Sequence, residues 1–249
     1  MVSVSYVCLI YKSTRWLRFV YEQFHKYTNL NEGDEFYFVA NDASPEVLDY
    51  LKDNNIKHYI HDNNEEQKKE WYINNVYRAW NTSARKAQGE YVVFLNSDFA
   101  FSPGWNTNLT KHISDASKNV ICITSRLVER GILSSGQYGI EKNFGNNYND
   151  YNEEEFLKYA DEIRQDKLLQ GGLYMPLLIR KEHLEKVGYY PEGNIVPGSN
   201  IFDPIIGKKG TPTIPGDNVL MQKLQCMNVH HVTAFDSVVY HFQEGEMRE

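Results

Sequence analysis

Asn96, Ser97 and Asp98 follow directly on the apolar run Tyr91–Leu95, in the stretch YVVFLNSDFAFSP. A carboxylate where a buried strand ends can serve a divalent cation that also holds two phosphate groups, and hard oxygen ligands suit Mg2+ or Mn2+. Taken alone, Asn-Ser-Asp is equally an ordinary turn. Asp42 has the same ambiguity in ANDAS, at the end of another apolar run. His241, in VVYHF, could complete a coordination shell through an imidazole nitrogen, although a lone histidine on a strand is otherwise structural. His230 and His231 are adjacent and on a strand would point to opposite faces, which makes them poor candidates for one shared metal. Asp217 opens the segment GDNVLMQKLQ, where it could act as a general base or simply cap a helix; from the segment alone, capping is the simpler reading.

The elements that must position these groups alternate along the first hundred residues. VSVSYVCLIY reads as a strand, and Leu17, Val20, Tyr21 and Phe24 then recur at helical spacing. EFYFVAND is a second strand, followed by SPEVLDYLKDNN, with Ser44 as a cap, Pro45 as a helix start, and Asn54 and Asn55 as its end. IKHYIHDNN gives a third strand; Val76, Trp80, Ala84 and Ala87 mark a helix that Gly89 can terminate; YVVFLNSD is the fourth strand. This order predicts an α/β fold with a mainly parallel central sheet and helices on both faces. Ligands of such sheets bind outside the carboxyl ends of the strands, so IYKS, ANDAS and NSDF share one edge.

The second half is less regular. VICITSR reads as a strand, GNNYNDYNEEEF as a polar loop leading into an acidic helix start, and GGLYMPLLIRKEHLEKVGYYPE as strand, helix and turn. Gly193 to Pro215 is rich in Gly, Pro and Asn and predicts a long functional or mobile loop. GDNVLMQKLQ is a short helix and FDSVVYHF a final strand.

With 249 residues, 41% of them hydrophobic, the chain can bury one substantial core. The net charge of −7 argues against a dominant grip on nucleic acid or anionic lipid, which need clustered positive charge. Cys8, Cys122 and Cys226 have no paired spacing and read as free thiols of a reducing compartment. No apolar run approaches the roughly 20 residues of a membrane helix, and no signal segment stands at the start, so the expectation is a soluble, cytoplasmic protein.

Considered together, these segments resemble the family 2 glycosyltransferases of the GT-A fold, enzymes that use nucleotide-sugar donors. The first strand is similar to one that commonly ends in Tyr-Asn, with Tyr11 matching and Lys12 replacing the Asn. VANDASPE resembles the family's Asp-Asp-Gly-Ser segment, placing Asp42 at the base-contacting position. In NTSARKAQGEYVVFLNSDFAFSPGW, the residues Asn81, Gly89, Glu90, Tyr91, Asp98, Pro103 and Gly104 match a pattern built around an Asp-x-Asp motif. Gly171 and Gly172 open a block similar to the acceptor side, GDNVLMQKL resembles the segment that supplies the base, and VVYHF resembles the late histidine of some GT-A enzymes. Two positions depart from the pattern: Asn96 replaces the motif's first Asp, and Gly216 replaces the Glu of a Glu-Asp pair.

The resemblance implies a metal-dependent, inverting transfer of sugar from a UDP- or GDP-sugar to a glycan or other hydroxyl acceptor. It implies donor contacts by Tyr11, Asp42, Asn81, Asn96, Ser97 and Asp98, acceptor contacts at Gly171 and Gly172, Mn2+ or Mg2+ on Asp98 and His241, and Asp217 as base. It also implies one domain over residues 1–249, in which 1–100 bind the nucleotide sugar and 101–249 the acceptor. Two alternatives stand beside it. A sugar-nucleotide pyrophosphorylase would carry a glycine-rich loop after the first strand, and IYKSTRW has no glycine. A non-catalytic nucleotide- or sugar-binding protein would explain Asn96 and Gly216.

Overall fold

A computed structural model describes residues 2–70, 72–113, 121–192, 216–243 and 245–246. The stretch expected as a loop at 193–215 lies outside the described residues. The chain opens with β1 (Val4–Ile10) and α1 (Thr14–Tyr27), and Ser13 caps the helix by accepting from Trp16 N. Leu17, Val20 and Phe24 are buried on one face of α1, as their spacing predicts, while Tyr21 is partly buried and Trp16 joins the buried face. Next come β2 (Glu35–Asn41) and α2 (Pro45–Asp53), where Ser44 accepts from Val47 N, Pro45 stands in the first turn and Asn54 closes the helix. β3 (His58–His61), the short α3 (Glu65–Lys68), α4 (Tyr72–Lys86) and β4 (Tyr91–Leu95) complete this half. Strands β3, β2, β1 and β4 lie side by side in that order and are parallel, so the carboxyl ends of β1, β2 and β4 open on one edge.

The remaining elements are β5 (Phe99–Phe101), α5 (Trp105–Thr110), β6 (Ile121–Glu129), β7 (Ile140–Glu141), α6 (Glu153–Ile163), β8 (Leu168–Gln170), β9 (Leu177–Arg180), α7 (Lys181–Lys186), α8 (Gly216–Cys226) and β10 (His230–His241). With them the sheet is mixed, although its parallel pairings still outnumber the antiparallel ones. β9 enters between β4 and β6 antiparallel to both, β10 runs parallel to β6, and β5 and β8 pair with β10 antiparallel. An apolar run reads the same whichever way the strand points, so direction had no signature in these segments. β5 and β8, three residues each, were too short to show a period.

One apolar cluster runs from Val4 and Phe38 through Phe94 and Leu177 to Leu224. A second, built on Trp16, Phe144, Phe156, Tyr240 and Phe242, fills the space beneath α6. Among the described residues, no helix is long and apolar enough to cross a membrane.

Two contacts fix the frame around the strand ends. Gly89 donates its N–H to Ser5 Oγ at 2.8 Å, and a Cβ there would lie 2.6 Å from Ser5 N and 2.8 Å from Val4 C. Only glycine lets the chain enter β4 this close to β1. Asn81, almost fully buried on α4, accepts from Tyr190 N at 3.0 Å and donates to Tyr190 O at 2.9 Å and Glu192 Oε1 at 2.7 Å. Beside it the Tyr77 and Tyr190 rings stack with centroids 5.1 Å apart.

Gly89→Ala is expected to lower stability by about 1–3 kcal/mol, the usual scale of overpacking against rigid neighbours. Urea denaturation measures it, and an unchanged midpoint would show that β1 and β4 can separate without cost. Asn81→Ala strands the Tyr190 amide, at an expected cost of about 1–3 kcal/mol in the same assay.

Candidate active site

A cavity of about 600 Å³ opens at the carboxyl ends of β1, β2 and β4. Tyr11 reaches it from the end of β1, Asp42 from the end of β2, and Asn96, Ser97 and Asp98 from the end of β4. Ile73, Val76 and Trp80 of α4 form an apolar wall, and His241 arrives from the last residue of β10. Six of the residues singled out in the sequence therefore share one cavity, at the edge where ligands of such sheets bind.

Strand pairing brings Asp98 and His241 together. β5 sets Phe99 opposite His241, which leaves His241 Nε2 3.4 Å from Asp98 Oδ2. On the other side β6 sets Glu129 opposite His241, and Glu129 Oε1 lies 3.0 Å from His241 Nδ1. Burial works against the charge of all three groups. The mutual attraction prevails: it holds Asp98 and Glu129 below their ordinary carboxylate values and lifts His241 far above that of a free imidazole. An imidazole anchored through one nitrogen by a carboxylate and facing an aspartate with the other is a frequent metal-ligand arrangement. One oxygen and one nitrogen donor suit Mn2+, so the pair fits such an ion.

The other strand ends are also held. Asp42 has a left-handed backbone, with φ of 47°, and both its carboxylate oxygens accept from Asn63, at 2.8 Å from the amide and 2.6 Å from the side chain. Glu246 occupies the turn after β1, accepting from the N–H groups of Tyr11, Lys12 and Ser13 and, at 2.8 Å, from Ser97 Oγ. Burial pushes its carboxyl up to about 7 against those donors. Glu129, Asn63 and Glu246 are absent from the sequence-based site. Each acts through a contact distant in the chain, and no spacing announced them.

Four expected site residues lie elsewhere. Asn81 faces Tyr190 and Glu192 rather than the cavity. Gly171 and Gly172 adopt φ of 84° and 122° beyond β8, and Gly171 O accepts from Thr233 Oγ1 at 2.6 Å; neither glycine lines the cavity. Asp217 stands at the start of α8 and does not line the cavity; Tyr77 donates to its Oδ2 at 3.2 Å. Its Oδ1 is buried without a hydrogen-bond partner among the described residues. A helix start favours the ionised form, yet burial outweighs both that position and the Tyr77 bond and raises the pKa of Asp217 to about 6.

A second acid and histidine cluster, His112, Asp166 and Asp236, has ligand atoms within 4.8 Å of one another. Lys111 Nζ already pairs with both aspartates there, at 2.8 Å from Asp166 Oδ1, and supplies the positive charge.

Residues 35–169, over half of the chain, match the family described as Glycosyl transferase family 2. The match includes Asp42 and the Asn96-Ser97-Asp98 motif, while Tyr11, Asp217 and His241 fall outside it. No curated protein matches the sequence. Similar solved structures include GalNAc-T7 with UDP, GalNAc and Mn2+, at 17% identity and a TM-score of 0.59, covering 97% of this chain and 44% of that one. The mannosyltransferase PcManGT from Pyrobaculum calidifontis, in complex with GDP-Man and Mn2+, is 14% identical with a TM-score of 0.57 and coverages of 96% and 56%. S. aureus TarS (residues 1–349) is 12% identical with a TM-score of 0.58 and coverages of 96% and 60%. The chain thus spans about half the length of these structures, and the likeness is one of fold. With a GT-A architecture, a cavity at the carboxyl edge of its parallel strands and a family match across more than half its length, this chain belongs to glycosyl transferase family 2.

Proposed function

We propose that the protein transfers a hexosyl group from a UDP- or GDP-sugar to a hydroxyl acceptor, with inversion and with Mn2+ or Mg2+ as cofactor. The observation that carries this reading is the cavity that gathers Tyr11, Asp42, Asn96, Ser97, Asp98 and His241 at one sheet edge. Two of the similar structures named above, GalNAc-T7 and PcManGT, hold UDP or GDP-Man together with Mn2+. Residues 1–100 would bind the nucleotide and 101–249 receive the acceptor.

Asp42, preset by Asn63, would receive the base, and Tyr11 would line the nucleoside. Asp98 and His241 would hold the divalent cation, with Glu129 fixing the ring of His241. When bound, such an ion neutralises a leaving diphosphate. Trp80 and Val76 would keep water from the sugar.

UDP or GDP should therefore raise the melting temperature only when Mn2+ or Mg2+ is present, since the phosphates and Asp98 are both negative. Asp98→Ala should abolish that shift and Asn96→Ala reduce it less. Equal stabilisation in excess chelator would sink the metal bridge, and a larger loss from Asn96→Ala would move the ligand to Asn96.

Asp217 is our candidate for the base that takes the acceptor proton. A pKa of about 6 leaves it ionised at neutral pH yet a stronger base than a free carboxylate, and its unpartnered Oδ1 can accept. Asp217→Asn keeps shape and capping, so kcat should fall by about 10²-fold or more, the scale of general-base loss. Because the folded pKa lies above the unfolded value, Asp217 costs stability as pH rises from about 4 through 6. Above pH 6 the Asn variant should be at least as stable as wild type. Normal turnover by that folded variant would remove Asp217 from the mechanism.

A further inference from the structure

The Glu246 carboxylate at the cavity wall has four donors: Tyr11 N at 3.1 Å, Lys12 N at 3.2 Å, Ser13 N at 2.9 Å and Ser97 Oγ at 2.8 Å. Three successive N–H groups in the turn leading into α1 form a nest that favours an anion, and the helix dipole acts in the same direction. The neighbouring Gly245 donates its N–H to Asp98 Oδ2 at 3.0 Å, the oxygen that also faces His241 Nε2 at 3.4 Å. The fit is close, since a Cβ on Gly245 would lie 2.6 Å from Asp98 Cβ and 2.8 Å from Trp16 Cζ2. Asp98 Oδ2 thus already accepts from an amide and faces an imidazole nitrogen, and a cation approaching that oxygen competes with the amide.

We infer that Gly245 and Glu246 form an autoinhibitory latch: an internal carboxylate seated in the nest of Tyr11, Lys12 and Ser13 holds Gly245 against Asp98, and it opens when a divalent cation and the donor bind. The inference rests on the donor and metal reading of this cavity. Glu246 is the catch and Gly245 the part that covers Asp98. If the open form is a minor state, populated to about 10% or less, the latch weakens apparent cation affinity about tenfold or more. A purely electrostatic role for Glu246 predicts the opposite sign, because a carboxylate beside a cation site attracts the cation.

The test uses the full chain and Mn2+ alone as probe, with binding followed by electron paramagnetic resonance and folding checked by circular dichroism. Gly245→Ala, which wedges the latch without changing charge, and Glu246→Ala, which removes the catch, should each bind Mn2+ about tenfold or more tightly than wild type. Glu246→Gln replaces the alanine variant if that one does not fold. Gly245→Ala should also speed hydrogen exchange at the Tyr11, Lys12 and Ser13 amides. Unchanged or weaker Mn2+ binding in both folded variants overturns the latch, as does an absence of Mn2+ binding in every form. If the gain in Mn2+ affinity is seen but neither UDP nor GDP binds any form, the latch stands and the nucleotide-sugar reading falls.

Discussion

A carboxylate buried where a strand leaves the core must have positive charge beside it, and Asp98 finds that charge in His241. Meeting this requirement fixes much of the second half of the chain. β10 must end at the residue opposite Phe99, β5 must turn back antiparallel to receive it, and β6 must present Glu129 to the far side of the ring. The result is an acid–imidazole–acid row in which each group holds its neighbour charged. Removing the central ring would leave two buried carboxylates without the positive charge between them, a far larger cost than the loss of one hydrogen bond.

Two aspartates, Asp98 in the cavity and Asp217 outside its lining, show how environment changes the properties of one side chain. Asp98 sits against an imidazole and an amide, which hold its carboxyl below the ordinary value despite burial. Asp217 sits beside a tyrosine and apolar neighbours, and burial lifts it toward neutrality. One is suited to holding positive charge and the other to taking a proton. Carboxylates with separated pKa values are how enzymes assign such roles.

What could be read from the sequence follows from the range of the interactions. The parallel half was legible because caps and periodicity are local: Ser44 and Pro45 opened α2, and the spacing of Leu17, Val20 and Phe24 gave the buried face of α1. The strand ends at Asp42 and Asp98 followed from where the apolar runs stop. The direction of β9 was not legible, nor was the sidedness of Asn81, which lies on a helix beside the cavity but turns to Tyr190. Glu129 and Glu246 were invisible for the same reason, since each earns its role only from a partner more than a hundred residues away.

The sheet's two borders carry a consequence for association. Among the described residues, one border is β3, four residues long, and the other is lined along β10 by β5 and β8, three residues each. Unpaired N–H and C=O groups on a long flat edge invite another chain to add a strand, and a border this short offers few of them. Ile60 is exposed on β3, but its neighbours His58 and His61 are polar and Lys57 just before the strand is charged. Strand-to-strand growth between copies is therefore poorly templated along these borders, and any assembly of this protein would have to be specified by side chains, which can be selective, rather than by backbone, which cannot.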